Sequence, residues 1–255
     1  MIGIIGGTGL YSLLEDAKKK IVKTPYGLPS SPIVLGEISG KEVAFIARHG
    51  IKHTIPPHKV PYLANIFAMK KLGVSRIISV NAVGSLKPGI KPGDFVINDQ
   101  FINFTRRRDT FYDKRVVHIS TAEPYCPLLR KLAIGTAKSL GYPCHSKGTI
   151  LIIEGPRFST KAESKFFSEI ADVINMTQYP EVVLARELEL CFLGISLVTD
   201  YDAGLFWKKP VSIEDILKVF RQNEEKVKQL LFELIPKIPH TRKCLCSRAL
   251  KDAIL

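Results

Sequence analysis

Short apolar runs and amphipathic stretches alternate along the chain, and each run breaks abruptly into polar or glycine-rich residues. Ile2 to Ile5, Ile33 to Ile38, Glu42 to Arg48, Arg76 to Val83, Asp94 to Asn98, Gly148 to Glu154, Asp172 to Met176 and Gly194 to Thr199 read as strands, because β-branched and apolar residues dominate them. Between them, Pro61 opens a helix that runs to about Leu72 and stops at Gly73. Cys126 to Leu140 is helical with Gly141 as its stop, and Lys161 to Ile170 and Glu181 to Cys191 follow as helices. Ile213, Ile216, Leu217, Phe220, Val227, Leu230, Leu231 and Leu234 make one stripe of a long final helix. Near-continuous apolar strands separated by helices point to an α/β protein with a buried sheet.

The chain has 255 residues, 45% of them hydrophobic, enough for a full core and too many for disorder by composition. No repeat, low-complexity segment or linker interrupts it, so one domain over 1–255 is expected, with a basic tail from about 237 to 255. The N-terminus lacks the layout of a signal peptide, and no apolar run reaches the ~18 residues that cross a bilayer, so a cytoplasmic protein is expected. The net charge of +13 admits an anionic partner. Its lysines and arginines are dispersed, without interleaved aromatics, which argues against nucleic acid and leaves a phosphate-bearing substrate or a solvated surface. Arg106-Arg107-Arg108-Asp109 reads as a solvated basic loop.

Among five cysteines, Cys126, Cys144 and Cys191 read as lone buried side chains. Cys244-Leu245-Cys246 is not a zinc spacing, and no second pair completes a site. A disulfide within that pair, or to Cys191, stays open. His49, His53 and His58 lie in a proline-broken loop without a neighbouring carboxylate, so no metal is expected there.

Chemistry concentrates at strand ends. Gly6-Gly7-Thr8-Gly9 follows the first strand without completing a dinucleotide or P-loop pattern, yet its amides and the Thr8 hydroxyl suit a small anion. Arg48, at another strand end, offers a planar fork for phosphate. From Glu154 to Asp202 the chain carries Glu154-Gly155-Pro156-Arg157-Phe158-Ser159-Thr160, Asn175-Met176-Thr177, Pro180-Glu181 and Thr199-Asp200-Tyr201-Asp202, just past three strands. Carboxylates, hydroxyls, an amide and an aromatic ring past parallel strands suit a neutral, ring-containing ligand with hydroxyls.

Together with Asn81-Ala82-Val83-Gly84-Ser85, these motifs in this order resemble the trimeric branch of the purine nucleoside phosphorylase family, its methylthioadenosine-cleaving members above all. The likeness covers about Ile2 to Pro236. It implies a single α/β domain whose central mixed sheet closes partly into a barrel flanked by helices. It also implies reversible phosphorolysis of a 5′-methylthio nucleoside to adenine and 5-methylthioribose 1-phosphate, with inorganic phosphate as co-substrate and no cofactor or metal. By position, Thr8, Arg48, His49, Ala82 and Thr177 would hold phosphate, His49 either as ligand or as loop anchor. Phe158 and Ser159 would face the purine, Met176 the ribose, and Asp200 and Asp202 the adenine edge. His53, Val211, Ile213 and Leu217 would border the 5′ group, and His118 would reach a neighbouring subunit's pocket in a homotrimer or a dimer of trimers. In this scheme a protonated Asp200, its pKa raised by burial and by Asp202, donates to purine N7. Asn81 departs from the threonine of the animal enzymes, which keeps a broader purine nucleoside or methylthioinosine activity as the alternative. The Cys-Leu-Cys tail resembles thermophilic archaeal relatives.

Overall fold

The computed structural model describes residues 1–7, 14, 17–206 and 212–254. Its strands are β1 (Ile2–Gly6), β2 (Lys18–Lys20), β3 (Ile33–Ile38), β4 (Lys41–Ala47), β5 (Arg76–Ser85), β6 (Phe95–Ile97), β7 (Gln100–Phe104), β8 (Cys144–His145), β9 (Thr149–Ile153), β10 (Val173–Asn175) and β11 (Cys191–Tyr201). The helices are α1 (Tyr62–Lys71), α2 (Pro127–Ser139), α3 (Lys161–Ile170), α4 (Gln178–Glu187) and α5 (Ile213–Leu234).

Among the described residues all eleven strands belong to one mixed sheet, in the order β2-β3-β4-β1-β5-β10-β9-β7, with β11, β6 and β8 branching from β5. Strand β5 is the branch point. Along one edge it pairs with β11 from Arg76 to Ser85. Along the other, parallel β1 pairs with Arg76 to Ser79, and antiparallel β10 pairs only with Gly84 and Ser85. Residues 80–83 therefore have no strand on that edge among the described residues, and β1 and β10 point their carboxyl ends at one another across the gap. Among the described residues no ladder joins the two ends of the sheet, so the expected barrel closure is not observed.

Both faces of the sheet are covered, which explains the continuous apolar runs. Ile4, Leu193, Ile195 and Leu197 pack with α2 and α5 on one face, while Ile5, Phe192 and Val198 pack with α1 and α4 on the other. Helix α3 begins in a capping box between Thr160 and Glu163, at the boundary its sequence marks. Helix α4 ends at Glu187, so Cys191, expected to end that helix, instead opens β11. Leu188 caps α4, and Glu189 at φ 55° turns the chain into the strand.

The C-terminal tail is tied down. Arg76 Nη2 donates to the carbonyls of Pro239, His240 and Thr241, and Lys41 Nζ donates to that of Ile238. Cys246 from this tail is buried in the α2–α5 core. No helix among the described residues is long and apolar enough to cross a membrane.

Candidate active site

A cavity of about 580 Å³ opens where β1 and β10 part along β5. Its floor is Val80 to Gly84 of β5, and its walls come from the chain just past β4, β9, β10 and β11 and from α5. Ligands of open α/β sheets sit at such a break, because strand edges there are free and loops from several strands converge. Two carbonyls of the gap are taken by side chains: Val80 O accepts from Arg48 and Ala82 O from Asn175.

At one end lies the carboxyl pair. A register shift between Val198 and Asp200 makes Thr199 an extra residue, a bulge of the kind that re-aims a side chain beside a site. Asp200 then sits over Gly84, and its Oδ1 accepts from Thr199 Oγ1 at 2.8 Å. Burial pushes the Asp200 carboxyl up to about 7, against the Thr199 hydrogen bond, with the negative charge of Asp202 adding to the rise. Burial likewise raises Asp202, opposed by the hydroxyls of Ser164 and Ser159. Asp202 Oδ2 and Ser159 Oγ are both buried without a well-formed hydrogen bond among the described residues. The hydroxyl of Ser159 is thus near enough to influence the Asp202 carboxyl without closing a good hydrogen bond to it.

At the other end, Arg48 is buried beneath the cavity, and its guanidinium is largely committed to protein. Nε and Nη2 donate to Glu181 at 2.6 and 3.0 Å, Nη2 donates to Ser79 Oγ at 2.7 Å, and Nη1 donates to Val80 O at 3.1 Å. Four of its five N–H groups are thus used, leaving one on Nη1 for a ligand. The bidentate grip on phosphate expected from the sequence is corrected accordingly, since the fork closes on Glu181. Thr177 Oγ1 lies 3.2 Å from Asn81 Oδ1. His49 Nδ1 is 2.8 Å from Ile55 O, and burial, reinforced by Arg48, holds its pKa down at about 4. A carbonyl can only accept, so this neutral ring donates from Nδ1 and leaves Nε2 as an acceptor. His53 is 4.6 Å from His49 between ring centroids, and its pKa is lowered by burial and by Arg48.

Ala82, Phe158 and Met176 also line the cavity. Gly155, at φ +65°, leaves room for Met176, because a Cβ there would meet Met176 Sδ at 2.5 Å. Ile213 and Leu217 form an apolar wall on α5, joined by Ile216 and Phe220 of the same stripe, which the helical periodicity marks as readily. Ser159 stands behind the lining beside Asp202. His118 is exposed and away from this cavity, its N–H bonded to Ala253 O. Thr8 and Val211 lie outside the described residues.

Three features escaped the sequence. Arg107 is not solvated: it donates to Glu154, to the Tyr62 hydroxyl and to the carbonyls of Met176 and Tyr179, fastening the loops after β9 and β10. Glu181 is fully buried and engages Arg48. Cys126 and Cys191 are not lone side chains either, since they meet Cys244 and Cys246 with all four sulfurs within 4.8 Å of one another. The four thiols are free, lie outside the cavity, and form a cluster whose size suits a thiophilic metal ion or oxidation in pairs.

Residues 1–236 match the model of the phosphorylase superfamily. The chain is 58% identical to the S-methyl-5′-thioadenosine phosphorylase of Pyrococcus furiosus, covering 98% of this chain and 97% of that one. Among solved structures, a methylthioadenosine phosphorylase from an antarctic soil metagenomic library superposes with a TM-score of 0.93 at 40% identity, covering 100% and 92% of the two chains. The methylthioadenosine phosphorylase of Schistosoma mansoni in complex with adenine superposes with a TM-score of 0.91 at 35% identity, covering 98% and 96%.

Proposed function

The chain belongs to the phosphorylase superfamily, and on that premise we propose that it catalyses reversible phosphorolysis of S-methyl-5′-thioadenosine, giving adenine and 5-methylthioribose 1-phosphate. Breaking the glycosidic bond builds positive charge on the ribose and negative charge on the leaving base. Rate is gained only from contacts that strengthen in that state.

One observation carries the assignment of roles. A single cavity holds a carboxyl with a pKa near 7 at one end, an Arg48–Thr177–His49 group at the other, and an apolar wall on α5. At the first end, protonated Asp200 donates to purine N7 while its second oxygen accepts from the 6-amino group. Asp202, Ser159 and Phe158 complete the base site. At the other end, phosphate sits below C1′, held by Thr8, the remaining Nη1–H of Arg48, the Thr177 hydroxyl and backbone at Ala82. His49 Nε2 accepts from a phosphate hydroxyl. Attack by a phosphate oxygen on C1′ forms the new C–O bond as the C1′–N9 bond breaks, and the proton of Asp200 goes to the base. Met176 packs on the ribose, and Asn81 faces it from the floor. Ile213 and Leu217, with His53 and Val211, border the 5′-thioether, for which apolar walls are the favourable surroundings.

Phosphate is a co-substrate here and no cofactor takes part. The chain acts as one phosphorylase domain that includes the basic tail of 237–255, assembled as a trimer or a pair of trimers in which His118 reaches a neighbour's pocket. Adenine release from methylthioadenosine, measured with and without phosphate beside adenosine and inosine, tests the reading. Phosphate-dependent release fastest from methylthioadenosine is expected. Faster inosine cleavage would transfer the chain to the general purine enzymes, and release without phosphate would make it a hydrolase.

A further inference from the structure

We infer that Glu181, which lies outside the cavity, is a positioning residue for the phosphate end of the site, an inference that rests on the phosphorolysis reading above. Glu181 sits in the first turn of α4, fully buried, one turn after Thr177. Its carboxylate accepts from Arg48 Nε at 2.6 Å, Arg48 Nη2 at 3.0 Å and Ser79 Oγ at 2.8 Å. Ser79 Oγ in turn accepts from Arg48 Nη2 at 2.7 Å and from Asn81 Nδ2 at 3.1 Å. A hydroxyl has one proton and two lone pairs, so Ser79 is saturated and its proton can only point at Glu181.

The consequence runs to the cavity. With Ser79 and its own carbonyl taking Asn81 Nδ2, the Asn81 amide is turned so that Oδ1 faces Thr177 Oγ1 at 3.2 Å. The guanidinium is held with its one unused N–H on Nη1, the nitrogen that also donates to Val80 O of the floor. One buried acceptor thus orders Arg48, Ser79 and Asn81, because a carboxylate only accepts, and through Asn81 Oδ1 it reaches the Thr177 hydroxyl, which Asn175 Oδ1 shares at 3.3 Å. A glutamine of the same shape keeps one accepting oxygen but sets its NH2 group against Arg48 Nε, or against Arg48 Nη2 and Ser79 Oγ, partners that are themselves donors; in the second orientation the chain of hydrogen bonds would have to turn over.

The full-length Glu181→Gln variant tests this by initial rates with methylthioadenosine, phosphate and nucleoside being varied separately. The apparent KM for phosphate is expected to rise about tenfold or more and that for nucleoside to change less than about threefold, with the circular-dichroism spectrum unchanged. Equal losses for both substrates, or no change, would overturn the inference. Ser79→Ala leaves the ion pair and removes only the relay to Asn81. It is expected to raise the phosphate KM about threefold with the nucleoside KM unmoved, and it carries the test if Glu181→Gln does not fold; an unmoved phosphate KM overturns the relay. Combined with Arg48→Lys, Glu181→Gln should be strongly non-additive in phosphate KM, and additive effects count against action through Arg48. A wild-type enzyme indifferent to phosphate would remove the functional reading itself. A phosphate-dependent wild type with an unaltered Glu181→Gln variant would remove only the role of Glu181.

Discussion

Asp200 lies directly above Gly84, so closely that a Cβ on Gly84 would stand 3.2 Å from Asp200 Oδ2 and 3.3 Å from Asp202 Cβ. The missing side chain is what lets two carboxyls share the end of the cavity. Gly84→Ala should therefore act first on catalysis. A drop in kcat/KM of about tenfold or more is expected, with a loss of stability on the order of 1–2 kcal/mol from crowding by Ile174 Cγ2, also 3.2 Å away. Thermal melts and steady-state kinetics on the same sample separate the two effects.

Asp200→Asn removes the proton that the carboxyl lends to N7. Turnover of 6-aminopurine nucleosides is expected to fall by roughly 10²–10⁴-fold, the usual size of a general-acid contribution, and that of 6-oxopurine nucleosides far less. Equal losses on adenosine and inosine would contradict the role.

The pH profile follows from the same group. Its carboxyl ionises near 7 rather than at 3.8, so the native state binds more protons than the unfolded chain between those values. This contribution to stability is fully present below about 4 and is lost as the pH rises through 7. Activity needs the protonated form, so kcat/KM for methylthioadenosine should fall about tenfold per pH unit above roughly 7. The descending limb should be absent in Asp200→Asn, and its persistence there would assign it to another group.

Arg48→Ala should raise the phosphate KM and also destabilise the fold. It strands Glu181, fully buried, without its cation, which costs on the order of 3–5 kcal/mol and lowers Tm by about 10 °C in a chain of this size. An unchanged phosphate dependence would take Arg48 out of the site.

Leu217→Ser places a hydroxyl in the apolar wall of α5. The preference for methylthioadenosine over adenosine should shrink by about tenfold, the worth of one or two buried methylene-sized contacts. Competition between the two substrates measures the ratio directly.

Much of this was legible along the chain. Buried strands announce themselves by apolar runs and α5 by its stripe, because these depend on neighbours a few residues apart. The residues that line the cavity were also named in large part, since Thr177, Asp200 and Asp202 stand at or just past strand ends and Asn81 is a polar residue inside an apolar run. Hidden from that view were the partners. Arg107 looked solvated because its acceptors lie 45 to 72 residues away in sequence. Cys191 and Cys244 are separated by 53 residues, and Arg48 and Glu181 by 133, yet each pair is in contact.

By itself, then, the sequence determined the alternation of elements, the covered faces of the sheet and the places where polar chemistry collects. Periodicity and capping are local, and they act before the chain closes on itself. Only the tertiary structure decided that β1 and β10 part along β5 to open the cavity, that Arg48 spends its fork on Glu181, and that Asp200 is buried enough to stand near 7. Those outcomes depend on which distant groups exclude water from one another and satisfy each other's hydrogen bonds.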